Sequence, residues 1–94
     1  MVNGYKGLTA YKEAMSLAAT VYEVTKRMPR EELYGLVSQL RRAAVSVPSN
    51  IAEGYGKSST GEYLSALGHA RGSLFEIETQ VEIARSAGII EPAD

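Results

Sequence analysis

The sequence predicts an all-α fold, an up-down antiparallel helical bundle of the four-helix-bundle type, and three observations lead there. Apolar residues return every three or four positions in three long runs. The joints between the runs, "MPREEL" and "GYGKSST", carry helix-start and turn chemistry. The 94 residues are 45% hydrophobic and 22% charged, which fits one globular domain with little core to spare, so that self-association is a natural source of extra burial.

Residues 1–8, with "MVNGYKG" interrupted by two glycines, are expected to be an N-terminal tail, and residues 9–94 a single bundle domain. The first helix is expected over about 9–27, where Tyr11, Ala14, Met15, Ala18, Val21, Tyr22 and Thr25 form one stripe. Thr9 is its candidate cap, and Lys26 and Arg27 suit the negative end of the helix dipole. Pro29 fits a helix start because its missing N–H is not needed there, and Glu31 and Glu32 favour a first turn.

The second helix is expected over about 31–53, carried by Leu33, Leu36, Val37, Leu40, Ala44, Val47 and Ile51. Pro48 opposes it locally, at about 3 kcal/mol for a proline in a helix interior. The apolar phase nevertheless passes through Pro48 without resetting, and burial of Val47 and Ile51 at roughly 1.5–3 kcal/mol each offsets the penalty. The expectation is a helix kinked near Ala44–Pro48 and ended by Gly54 in a left-handed conformation.

Ser59 followed by Glu62 has capping-box spacing and opens a third helix over about 60–87. Its stripe is Tyr63, Leu67, Ala70, Leu74, Ile77, Val81, Ala84 and Gly88. Gly68 and Gly72 each cost roughly 1 kcal/mol of helix propensity relative to alanine, which suggests close approach by another backbone. Gly88 reads as the terminator, and Pro92 as the opening of another element. Three helices are thus encoded, the fourth being missing or truncated, or its place being taken by a neighbouring subunit.

Charge and composition bound the function classes. The net charge is −1, but residues 1–50 hold seven Lys or Arg against four Glu, and residues 51–94 three against seven acidic groups. That asymmetry suits a local basic face or complementary contacts between subunits. There is no cysteine, and no run of eighteen apolar residues, so no membrane span is expected and a cytoplasmic location is.

Candidate chemistry is sparse. "GYGKSS" resembles a phosphate-binding loop at Gly56, Lys57 and Ser58, but Ile51 stands where that pattern needs a glycine, and a helix rather than a strand precedes it. His69 has Ala66 three residues earlier, so the Glu-x-x-His pair of a di-iron bundle is absent, and no second histidine joins Glu76, Glu78 and Glu82. No serine nucleophile is flanked by recognisable signals. No enzyme activity, cofactor or metal is expected, and no small-molecule substrate is indicated.

Two readings of the polar residues remain open. Arg41, Arg42 and Lys57 are candidate nucleic-acid contacts on and near the second helix. Alternatively Arg42, Ser46, Asn50 and Glu53 share one helix edge and, answered by Glu62 or Glu78 from the third helix, form a polar network that aligns the helices.

The stretches "YGLVSQLRRAAVSVPSNIAEGYGK" at Tyr34–Lys57 and "GSLFEIETQVEIARSAG" at Gly72–Gly88 resemble the four-helix-bundle proteins of the 23S ribosomal RNA intervening-sequence family. The resemblance spans roughly Leu8 to Ile90. It implies an up-down four-helix bundle assembling into rings, commonly pentamers, and, through related retroelement accessory proteins, an association with nucleic acid. The family's motif residues fall on Arg41, Arg42, Ser46, Pro48, Asn50, Glu53, Gly54, Glu76, Glu78 and Thr79, with structural and assembly roles implied. The slightly acidic composition departs from the strongly basic relatives that associate with nucleic acid. The leading expectation is therefore a non-enzymatic, self-assembling bundle, and the alternative a nucleic-acid-binding accessory module.

Overall fold

A computed structural model describes residues 4–90. The first three residues of the expected tail and the turn at Pro92 lie outside the described residues. The order is a 3-10 turn at Gly4–Gly7, then α1 over Thr9–Thr25, a 3-10 turn at Arg30–Glu32, a π-helical turn at Leu33–Val37, α2 over Ser38–Tyr55 and α3 over Thr60–Ser86. The fold is all-α, an up-down antiparallel bundle of three helices. Its long axis of 44 Å is about the length of α3, at 1.5 Å per residue over 27 residues.

The ends of the helices follow from local chemistry. Leu8, with extended backbone at φ −72° and ψ 134°, occupies the cap of α1 and supplies no side-chain hydrogen bond, so Thr9 is the first helical residue and not the cap. Ser59 does cap α3, its Oγ accepting from the Glu62 N–H at 3.1 Å. The Glu62 carboxylate accepts instead from the Ser58 hydroxyl, 3.3 Å away. At the other end Gly88 is left-handed at φ 73°, and the Gly88 and Ile89 N–H groups donate to the Arg85 and Ala84 carbonyls. This paired closure needs a residue free of Cβ strain, which explains the glycine. It also turns Ile89 and Ile90 back against the core.

α2 is the central element. α1 and α3 each pack along it and make no comparable contact with one another. The core runs from Val37, at the end of the π-helical turn, down α2 through Leu40, Ala44, Val47 and Ile51, met by Ala14 and Val21 from α1 and by Ala70, Ile77 and Ala84 from α3. Helix continues through Pro48, which is itself buried beside Val47 and Ile51. Burial on this one stripe outweighs the local proline penalty, and α2 reaches Tyr55.

Gly54 differs from the expected left-handed terminator. It is a buried residue inside α2, and the chain leaves the helix at Gly56 with right-handed backbone, φ −87° and ψ 0°. Ala66 and Tyr63 of α3 lie against Gly54, so the absent side chain serves packing and not a turn. The phase of α3 also shifts from the expected stripe. Ala66, Ala70, Ser73, Ile77, Gln80 and Ala84 turn toward α2, while Leu74 is 40% exposed.

Candidate functional site

The polar residues of α2 and α3 meet in two places. In the first, the Asn50 amide donates from Nδ2 to both the carbonyl and the hydroxyl of Ser46, at 2.8 and 2.9 Å. The Ser73 hydroxyl of α3 completes the group by donating to Ser46 Oγ at 2.8 Å. The spacing of Ser46 and Asn50 by one turn brings them together within a helix. Ser73 was not singled out by the sequence, although a serine between Ala70 and Ile77 is a polar residue at an inward position. In the second place, Gln80 Nε2 donates to Gln39 Oε1 across the helices and to Glu76 Oε2 one turn away, both at 3.3 Å. Gln80 is buried, and its Oε1 has no partner.

The remaining expected members of the network stand apart. Arg42 is exposed and reaches only the Ser38 hydroxyl, at 3.5 Å. Glu53 and Glu78 are exposed, and Glu62 belongs to the start of α3 beside Ser58. The structure therefore joins Ser46 and Asn50 and adds Ser73 in place of the expected carboxylates.

Arg41, Arg42 and Lys57 do not converge on one patch. Arg41 is turned toward α1, where its Nε donates to Thr25 Oγ1 at 2.8 Å and its guanidinium lies 4.5 Å from the Tyr22 ring centroid. That position suits a planar guanidinium, which can donate in its plane and stack through its face. Buried Thr25 is fixed in turn by donating to the Val21 carbonyl at 2.8 Å. Arg42, the next residue, projects about 100° away around the helix, and Lys57 lies beyond the end of α2, about 21 Å or more along the axis. Among the described residues no group of three His, Cys, Asp or Glu side chains is placed to hold a metal ion, and no helix is long and apolar enough to cross a membrane. His69 is exposed.

Two larger surface features were not anticipated in this form. Because α1 and α3 flank α2 without closing on each other, an apolar groove of about 480 Å³ opens between them. Leu17, Val21 and Val24 of α1 face Ile77 and Val81 of α3 across it, with Leu40 as floor and Ile89 and Ile90 at one end. Arg27 and Arg85 stand at its edge, and neither has a carboxylate partner among the described residues.

The second feature is the outer face of α3, directly opposite its buried face. Leu64, Phe75 and Ile83 are each more than half exposed there. Gly68 and Gly72 belong to this face, and a Cβ on either would meet nothing within 4 Å. The expected close packing of these two glycines is thus not against another of the described helices.

Three antiparallel helices tied by side-chain links across their seams define a small helical-bundle protein. The chain belongs to the family of 23S rRNA-intervening sequence proteins, whose family model matches residues 6–94. Comparison with curated proteins returns no match.

Proposed function

We propose that this protein is a non-enzymatic helical bundle that self-assembles into a homo-oligomer in the cytoplasm. The observation that carries the reading is the outer face of α3, where the solvent side of a surface helix ought to be charged. Instead Leu64, Phe75 and Ile83 are more than half exposed there, beside exposed Gly68, Gly72 and Thr79 and bordered by the charged Arg71 and Glu82. An apolar surface of this kind on a small domain marks a contact with another macromolecule. The open groove between α1 and α3 supports a bundle of the four-helix type whose fourth position is completed by another helix. Five copies is the number that the sequence resemblance favours. Sedimentation velocity of the purified chain tests the reading: a concentration-dependent mass above one chain is expected, and a monomer across the accessible range defeats it.

The nucleic-acid accessory reading is favoured by one observation, that Arg41 and Arg42 have no carboxylate partner among the described residues. It predicts binding to structured RNA or duplex DNA that weakens as salt rises, through release of counterions from the phosphates. A titration at two salt concentrations with no salt-sensitive binding at micromolar protein removes it.

A further inference from the structure

We infer that two copies of the chain pair through the outer faces of their α3 helices, antiparallel and about a two-fold axis beside Phe75; this rests on the self-assembly reading above and names its contact. At about 100° per residue, Leu64 and Phe75 fall near the centre line of the ridge that this face forms. Gly68, Gly72, Thr79 and Ile83 lie along one edge of it, and Arg71, Glu78 and Glu82 along the other. The two halves of the ridge differ in bulk and in sign. Before Phe75 two glycines leave it low and Arg71 makes it positive, whereas after Phe75 it bears Ile83 and the negative Glu78 and Glu82.

Such a surface complements a reversed copy of itself. A two-fold axis perpendicular to both helices sets each edge beside the same edge of the second copy and inverts direction, so a residue before Phe75 meets one equally far after it. Gly68 and Gly72 then receive Ile83 and Thr79 of the other copy, Arg71 faces its Glu78 and Glu82, and Leu64 faces its Ser86. Bulk meets a low stretch and each charge meets its opposite, both twice. In a parallel pair Arg71 stands against Arg71 and the two glutamates against their own kind, so charge selects the antiparallel one. The charged groups are available for it: Glu78 and Glu82 have no ion-pair partner among the described residues, and Arg71 has only the Phe75 ring, with its guanidinium 5.4 Å from the centroid. From Leu64 to Ser86 the contact runs about 33 Å at 1.5 Å per residue, which covers Leu64, Phe75 and Ile83 of both copies. It closes on itself at two copies and leaves the α1–α3 groove untouched.

The chain has no cysteine, so single thiols can be placed without background. Leu64 and Ser86 are both exposed, at opposite ends of the ridge. A short bis-maleimide is expected to link an equimolar mixture of L64C and S86C chains into dimers and to leave each alone as monomers, since like positions lie about 33 Å apart in the pair. The L64C/S86C chain is expected to stop at a linked dimer. Dimers from either single variant, no dimer from the mixture, or a ladder of larger products from the double variant each overturn the two-fold contact. A second test reverses charge, with helicity checked by circular dichroism. R71E and E78R/E82R are each expected to associate at least about tenfold more weakly than the parent, and their equimolar mixture to recover the parent's association as a one-to-one pair, because both charge clusters reform with signs exchanged. Variants that associate like the parent, or a mixture no tighter than its components, also overturn it. Sedimentation of the parent separates the contact from the reading beneath it. A mass of two chains is expected, an odd-numbered assembly overturns the two-fold contact and leaves self-assembly intact, and a monomer at every concentration defeats both.

Discussion

Gly54 of α2 lies so close to Ala66 of α3 that a Cβ built on the glycine would stand 2.9 Å from the alanine Cβ. Neither carbon can swing away, because both are fixed to helical backbone, so the helices themselves must part to admit one methyl group. Overpacking of this kind costs about 1–3 kcal/mol. Gly54→Ala recovers up to about 1 kcal/mol of helix propensity, and the net expectation is destabilisation of roughly 1–2 kcal/mol. Urea unfolding followed by circular dichroism checks it; a variant as stable as the parent shows that the seam yields freely.

Gly68 and Gly72 sit on the same helix that meets Gly54, and the opposite sign is expected of them. With nothing within 4 Å of either added Cβ, Gly68→Ala and Gly72→Ala meet no clash among the described residues. Each is expected to stabilise the isolated chain by up to about 1 kcal/mol, through the propensity difference alone. The same substitutions thicken the outer ridge, so the double variant is expected to have a higher melting temperature under dilute, monomeric conditions and a lower association constant. Thermal scans and sedimentation over one concentration series measure both quantities.

Ser73 and Ser46 supply the polar link between α3 and α2 and a direct measure of what it contributes. A net hydrogen bond contributes about 0.5–1.5 kcal/mol, and loss of one partner leaves the other without its bond in a half-buried seam. Ser73→Ala and Ser46→Ala are each expected to destabilise by about 1 kcal/mol. In the double variant the losses are expected to be less than additive, with a coupling of at least about 0.5 kcal/mol, because the residues share one bond. Additive losses in urea unfolding show that Ser46 acts through Asn50 alone.

Helix extents were legible in the sequence because the apolar spacing is regular and the ends carry recognisable residues. The third helix starts at Thr60 after the Ser59 cap, as expected, and Gly88 terminates it through a left-handed conformation. The π-helical turn at Leu33–Val37 was not legible, since Leu33, Leu36 and Val37 satisfy a spacing of three or four in either geometry. The rotation of α3 differs from the expected one for a related reason. With apolar residues on several faces, its sequence fits more than one inward stripe, and the choice falls to the surface of α2. That surface selects Ser73, hydrogen-bonded to Ser46, over Leu74. Ser46 and Asn50 were legible as neighbours because they lie one turn apart. Arg41 and Thr25 were not, because their bond joins residues sixteen apart across a loop whose path the pattern leaves open.

Pro48 brings the local and long-range forces into one measurable difference. Its ring is buried between Val47 and Ile51 in unbroken helix, yet it supplies no N–H to the Ala44 carbonyl one turn back. Pro48→Ala restores that donor and relieves the crowding of the carbonyl, a gain of about 3 kcal/mol in an ordinary helix interior. It also removes two ring carbons from the core, at about 0.8 kcal/mol each before any cavity cost. The unfolded chain gains freedom as well, which lowers stability by up to about 1 kcal/mol. The terms leave a gain of less than about 1 kcal/mol, far below the full penalty for a helical proline. Chemical unfolding of Pro48→Ala is therefore expected to show a small stabilisation or none. A gain near 3 kcal/mol indicates a ring that contributes nothing to packing, and a loss above 2 kcal/mol indicates that the backbone at Ala44 is adapted to the proline and does not accept the restored bond.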